Sequence, residues 1–367
     1  MNVLFDHQIF STQVYGGASN YFFELMKRLD RHKDIDVSLS LLISNNAYVK
    51  SLNCSRSIAI PHSLQSGKMT RTLLAVNGAY SRHLIRKREF DVFHPTYYDP
   101  YFLDDLKSKP FVVTVFDMIH EIYPQMFNYD GMLTARKASL VRRAAAIIAI
   151  SESTKTDIMK HYGIAEEKIK VIHLATSFSL PERLSLPHVL PDRYLLFVGH
   201  RTIYKNFVPF IRAITPILKS DLDLTIVCAG GGPLTKSEQS LFTELGIGTR
   251  VVHYAPSNDV MILLYAKAIS FVFPTLYEGF GLPVLEAFSC RCPATISNTT
   301  SLREVASDAA LYFDPSNETS MREAIAKIIY DGGLRQELIQ LGIQRLKEFS
   351  WEKSAALTRD VYLTTCA

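Results

Sequence analysis

Two carboxylates eight positions apart, Glu278 and Glu286, flank a glycine turn in Phe273-Pro-Thr-Leu-Tyr-Glu-Gly-Phe-Gly-Leu-Pro-Val-Leu-Glu286. The apolar run Ile269–Phe273 before them reads as a buried strand, and Leu282, Leu285 and Phe288 repeat at helical spacing after it. The carboxylates therefore sit on either side of a strand-to-helix turn, where free backbone N–H groups hold anions and hydroxyls. A plain turn with a solvated Glu278 is the competing reading. Upstream, Arg201 and Lys205 follow Gly199 in Val-Gly-His-Arg-Thr-Ile-Tyr-Lys. A guanidinium fork and a compact ammonium at a helix start could neutralise a diphosphate as its charge develops. A solvated pair is the alternative. Gly230-Gly-Gly232 either turns the chain or lets a flat base approach the backbone.

The elements that must position these groups alternate between strand and helix. Asn2–Asp6 reads as the first strand, followed by Tyr15-Gly16-Gly17-Ala18 and a helix bearing Phe22, Leu25, Met26 and Leu29 on one face. Gly16 and Gly17 are thus placed where backbone amides cradle phosphate, although the loop is not Gly-x-Gly-x-x-Gly. Val37–Ile43 is the next strand, and residues 64–88 form a basic helical region. Further strands run through Phe90–His94, Pro110–Asp117, Ala144–Ile150 and Lys168–His173. A Pro-containing linker separates these from a second series that starts at Tyr194–Gly199 and includes strand Arg250–Tyr254. The expected domains are 1–178, linker 179–192, 193–349, and a segment 350–367 returning to the first. Ligands of such sheets bind beyond the carboxyl ends of the strands, so the two halves should wall one cleft.

Composition excludes several classes. With 367 residues, 47% hydrophobic and 21% charged, the chain is globular and long enough for two cores. No stretch approaches the ~20 apolar residues that span a bilayer, and the N-terminus lacks signal-peptide features. Five cysteines without a framework point to a reducing cytoplasm, and the spacing of Cys290-Arg-Cys292 is wrong for a zinc knuckle. Residues 1–180 hold 22 Lys and Arg against 17 Asp and Glu, with clusters at Lys68–Arg88 and Arg136–Arg143. Such a face suits an anionic membrane surface or nucleic acid; without a nucleic-acid motif the membrane is favoured, against a merely solvated surface.

The chain resembles the glycosyltransferase family 4 group of GT-B glycosyltransferases. The resemblance rests on Tyr277–Glu286 as the Glu-x7-Glu element and on Phe197–Phe207. Asp91–Tyr98, Ile148–Thr154, Lys170–His173, Ser297–Glu304 and Ala309–Pro315 add to it. It implies an α/β GT-B fold, two doubly wound Rossmann-like domains facing a central cleft, and sugar transfer from a nucleotide-diphospho-sugar with retention and without a metal. By position, Glu278 would bind donor-sugar hydroxyls, and the amides of Phe280-Gly281-Leu282 would hold sugar and phosphate. Glu286 would bind ribose, Arg201 and Lys205 the diphosphate with Gly199 beside it, Gly16–Gly17 would approach that diphosphate, and the backbone at Tyr254 would lie by the base. Relatives carry His-Asp where this chain has Phe116-Asp117. The role of that His is lost or passes to Asp117 or His120, each with a structural alternative, turn cap or structural histidine; His94 is a further candidate on the acceptor or donor side, also with a structural reading. GDP-mannose is the favoured donor over a UDP-hexose, and the acceptor is a saccharide or lipid-linked oligosaccharide of bacterial surface-polysaccharide synthesis. A cytoplasmic location, peripheral on the membrane, fits that role. The competing classes are an epimerase or phosphorylase on the same architecture, which lacks a pyridoxal-phosphate lysine motif here, and a catalytically idle nucleotide-sugar-binding protein.

Overall fold

The computed structural model describes residues 1–52, 57–60, 67–127, 131–182 and 190–366. Half of the expected linker, including Pro187, lies outside the described residues. The chain divides into two compact units. One comprises Met1–Leu174 with Ser350–Ala367, and the other Ala175–Phe349.

In the first unit, β1 (Asn2–Phe5), β2 (Asp36–Leu39) and β5 (Val92–His94) form a parallel sheet in the order β2-β1-β5. β6 (Val112–Val115), β7 (Ala146–Ala149) and β8 (Ile169–Val171) continue it through a parallel bridge from Phe93 to Phe111. The central strands β6 and β7 read as nearly continuous buried runs because helices cover both faces, whereas β2 at the edge alternates exposed and buried residues. The expected strand Val37–Ile43 is divided. Asn77 Oδ1, from the helix Gly67–Lys87, accepts the N–H groups of Leu42 and Ile43 at 3.0 Å each. A side chain thus takes the bonds that a strand partner would have taken, and β3 (Ile43–Ser44) instead pairs with β4 (Ile58–Ala59). The helix Trp351–Cys366 packs on Gly17–Leu29, burying Trp351 and Tyr362 in this unit.

The second unit holds β9 (Arg193–Val198), β10 (Leu224–Ala229), β11 (Val251–Tyr254), β12 (Ser270–Phe273), β13 (Ala294–Ser297) and β14 (Ala310–Phe313). All are parallel in the order β11-β10-β9-β12-β13-β14, the doubly wound arrangement that reverses between β9 and β12. Phe197, Phe207, Phe210, Ile214 and Ile325 build the core on one face of this sheet. The reversal leaves a crevice beyond the carboxyl ends of β9 and β12, where Gly199–Lys205 and Thr275–Glu278 emerge.

Candidate functional site

The loops after β9 and β12 are tied to each other before any ligand is considered. The carbonyl of Tyr204 accepts from Leu276 N at 2.8 Å and from Thr275 Oγ1 at 3.2 Å. Lys205 closes a single helical turn, Ile203–Lys205, and Asn206 then adopts φ 58° to start the helix Phe207–Ser220. Asn206 is held by donating to Pro315 O at 2.8 Å. Lys205 Nζ thereby reaches Glu278 Oε1 at 2.5 Å, with each side chain about one-seventh exposed. The Glu278 backbone is fixed in turn, since its carbonyl accepts from Ser301 Oγ at 2.8 Å and Thr300 Oγ1 at 3.3 Å.

Gly281 turns the chain into the helix Leu282–Ser289 at φ 102°. The positive φ calls for glycine, and a Cβ there would also push the end of the Leu302 side chain, 2.5 Å away, aside. The Phe280 side chain is buried against Phe349, which leaves its backbone as the part able to meet a ligand. Glu286 lies one turn further on and accepts from the buried Tyr265 hydroxyl at 2.9 Å. Burial pushes its carboxyl up to about 7, against the opposing pull of the Tyr265 hydrogen bond. Lys205, Glu278 and Gly281 therefore lie on adjoining loops of one unit, with Glu286 on the helix that Gly281 starts and Gly199 at the end of β9.

Arg201 is held differently from the expectation that it takes a diphosphate. Its guanidinium donates to Glu238 Oε1 at 2.6 Å, Gly232 O at 2.9 Å, Pro233 O at 2.8 Å and Gly230 O at 3.3 Å. The side chain is 3% exposed. Carbonyls of a left-handed glycine loop converge on a fork that matches them, and Glu238 neutralises it. Arg201 staples the β10 loop. The signal for this lay in Thr235-x-x-Glu238, a capping box that fixes Glu238 at the helix start beside the loop. Gly231 belongs to the same construction, because a Cβ there would stand 2.3 Å from Gly199 O. Tyr254 ends β11, and its carbonyl accepts from Gly230 N at 3.0 Å.

The candidates of the first unit are described by themselves. Gly16 caps the helix Gly17–Leu29, and a Cβ on it would meet the Gln13 amide at 2.3 Å. His94 is fully buried, with Nδ1 on Tyr362 Oη at 2.6 Å and Nε2 on Thr114 Oγ1 at 3.0 Å. With no exposed surface and both nitrogens bonded inside the fold it is closed off from donor and acceptor, and desolvation lowers its pKa to about 3. That corrects its place among the candidates and leaves it a packing residue linking β5, β6 and the last helix. Asp117 Oδ1 accepts from Ile119 N at 3.2 Å, the turn-cap geometry. His120 is half-buried, its ring tilted against Phe127 with centroids 4.2 Å apart, and burial lowers its pKa.

Next to them lies an ion pair that no sequence pattern announced. Lys137 Nζ donates to Glu121 Oε2 at 3.0 Å and to Asp117 O at 2.9 Å, and the side chains are 1% and 6% exposed. Tyr162 Oη donates to the other Glu121 oxygen at 2.5 Å. Among the described residues, no group of three or more His, Cys, Asp or Glu is arranged to hold a metal, and no helix is long and apolar enough to cross a membrane.

The fold is GT-B, as the likeness to solved structures shows. Sucrose-phosphate synthase from Thermosynechococcus elongatus superposes with a TM-score of 0.78 at 18% identity, over 99% of this chain and 98% of that one. Residues 15–177 match the family model described as Glycosyltransferase Family 4, and residues 182–345 match Glycosyl transferases group 1. The chain belongs to the family 4 group of glycosyltransferases. It is similar to an O-antigen chain mannosyltransferase B of Escherichia coli, 27% identical over 94% of this chain and 95% of that protein. It is also similar to the O-antigen chain mannosyltransferase RfbU of Salmonella typhimurium, 30% identical over 59% of this chain and 60% of that protein.

Proposed function

We propose that the protein transfers a hexose, mannose in preference to others, from a nucleotide-diphospho-sugar to a saccharide or lipid-linked oligosaccharide during synthesis of a surface polysaccharide. The observation that carries this reading is the Lys205–Glu278 pair at the β9/β12 switch point, with Glu286 one turn behind it. A diphosphate placed there would draw Lys205 away, and the released Glu278 carboxylate would accept hydrogen bonds from sugar hydroxyls. Glu286 would accept the paired hydroxyls of a ribose, and the amides of Phe280, Gly281 and Leu282 would face sugar and phosphate. The two O-antigen mannosyltransferase relatives support mannose and hence GDP-mannose over a UDP-hexose.

In this reading the acceptor hydroxyl attacks from the face that the diphosphate leaves, and a phosphate oxygen takes its proton, so configuration is retained without a protein nucleophile. The phosphate charge is met by Lys205 and backbone amides, with no metal. Arg201 acts at one remove, by shaping the Gly230–Gly232 loop. The basic helix Gly67–Lys87 would rest on an anionic cytoplasmic membrane surface, although Arg82 and Arg86 already share Asp105.

The deciding experiment incubates the protein with GDP-mannose, UDP-glucose, ADP-glucose and dTDP-glucose and follows nucleotide release with and without an oligomannoside acceptor. Acceptor-stimulated release of GDP is expected. Stabilisation by a donor with no release under any condition would favour the idle binding protein. For the membrane, co-sedimentation with anionic vesicles that ignores charge reversal at Arg86, Lys87 and Arg88 would remove that part of the reading.

A further inference from the structure

A cavity of about 520 Å³ lies within the first unit, between the helix Gly67–Lys87 and the segment Tyr97–Tyr101 that follows β5. Such volumes suit small ligands. Leu74, Leu133 and the rings of Tyr97 and Tyr101 give it largely apolar walls, and Arg82 and Arg136 stand at its rim. Its polar lining is mostly satisfied within the fold. Gln8 Nε2 donates to Asp6 and to Asp99 O, and Gln8 Oε1 accepts from Asp99 N. Arg136 pairs with Asp99, and Tyr101 Oη bonds Ser81 Oγ at 2.6 Å.

His7 is the exception. It follows β1, is 2% exposed and lines the cavity, and its Nε2 is buried without a hydrogen-bond partner. Which nitrogen carries its proton can be followed along a chain of bonds. Asn77 Oδ1 accepts two backbone N–H groups, from Leu42 and Ile43, which fixes its amide orientation. Asn77 Nδ2 therefore donates, to Ile43 O at 2.8 Å and to Ser11 Oγ at 2.9 Å. Ser11 Oγ could still accept a second bond, but the arrangement that leaves the fewest groups unmet has its hydroxyl donating to His7 Nδ1, 3.1 Å away. Nδ1 thus accepts, and the proton of the neutral ring sits on Nε2. Burial lowers the His7 pKa and keeps the ring neutral. The result is one N–H donor held in a cavity with aromatic and aliphatic walls. An unmet buried donor carries a free-energy cost that a ligand oxygen would relieve.

We propose that this cavity binds one sugar ring of the acceptor, the apolar face of the ring lying on the tyrosine wall and a hydroxyl oxygen accepting from His7 Nε2–H. The assignment rests on the glycosyltransferase reading for the word acceptor, but saccharide binding itself does not require it. His7 is the specificity-determining contact, and Asn77 and Ser11 are positioning residues that set its tautomer. A sugar that lacks or inverts the contacted hydroxyl leaves the donor unmet and is discriminated against.

The test uses the full chain labelled with 15N-histidine, the His7 signals being assigned by comparison with His7→Gln. Long-range proton–nitrogen spectra should show a neutral Nε2–H ring. Titration with the methyl glycosides of mannose, glucose, galactose and N-acetylglucosamine, and with mannobiose, should move those signals for at least one sugar. In turnover assays, His7→Phe should raise the acceptor KM at least tenfold, and His7→Gln, which restores an N–H donor, should recover most of it. An Nδ1–H ring overturns the proposal, as do His7 signals that respond to none of these sugars. So does a response to anionic phospholipid vesicles in place of sugars, or an acceptor KM within twofold of wild type in His7→Phe. Should His7→Phe fail to fold, the spectra of the wild-type protein decide alone. A wild-type protein that releases nucleotide from no donor while its His7 signals still respond to a sugar would sink the transferase reading and keep the saccharide site.

Discussion

Nζ of Lys205 stands 2.5 Å from Oε1 of Glu278, joining a cation after β9 to a carboxylate after β12. The two residues are 73 positions apart and meet because the strand order reverses between them. In the proposed function the pair would be exchanged for a ligand, a diphosphate competing for the ammonium and sugar hydroxyls for the carboxylate. Lys205→Ala should therefore abolish the thermal shift given by GDP alone and lower kcat by ~100-fold or more. Glu278→Ala should keep the shift with GDP and lose the added shift with GDP-mannose. Equal responses of both variants to GDP would refute this division of labour.

In the proposed function Glu286 would link donor binding to pH. Its folded pKa, raised to about 7 by burial, lies above the ordinary 4.5, so its contribution to stability is complete below about pH 4.5 and is lost as pH rises through 7. Glu286→Gln should thus raise Tm at pH 8 relative to wild type, by ~2–4 °C for each kcal/mol recovered, and by less at pH 5. Donor affinity should move the opposite way in wild type, strengthening from pH 6 to 8 as the carboxylate forms. A Tm difference that does not change with pH would contradict the raised pKa.

Arg201 gives a sharp distinction between scaffold and ligand contact. Arg201→Lys keeps the charge but cannot serve Glu238 and three carbonyls together. It should cost about 2–4 kcal/mol in denaturant unfolding of the second unit. The donor thermal shift should persist in whatever protein remains folded. Unchanged stability with a lost donor shift would restore Arg201 to the diphosphate.

The Lys137–Glu121 pair makes a prediction about the first unit. Lys137→Met leaves a carboxylate buried without its cation, at a cost of about 3–5 kcal/mol, whereas Lys137→Met combined with Glu121→Leu should recover most of that loss. Urea unfolding of the single and double variants measures the difference. Additive losses would mean that the two residues do not act as a pair.

What could be read in the sequence follows the range of each interaction. The apolar runs of β9, β10 and β12 and the Glu278–Glu286 spacing are local, and the turn-and-helix between the two carboxylates stands where that spacing placed it. Arg201 was expected on a diphosphate, and a cation beside a glycine loop reads alike whether it serves a ligand or the loop itself. Only Glu238, brought in by the fold from 37 positions away, separates the two. His94 looked available at a strand end, and the last helix seals it through Tyr362. His7 offered no pattern at all, since its tautomer is set by Ser11 and Asn77 on different helices.

The helix Trp351–Cys366 belongs to the first unit but is made after the second. Its Tyr362 hydroxyl bonds His94, and Trp351 lies against Tyr21, so the β1–β5 core lacks two of its aromatic neighbours until those residues leave the ribosome. The usual order, in which the amino-terminal unit folds first, should thereby be reversed. During translation the second unit can close as a continuous stretch of chain, while the first waits with an open groove for its final helix. A released chain truncated after Phe349 should therefore carry a protease-resistant second unit joined to a first unit that is still cleaved.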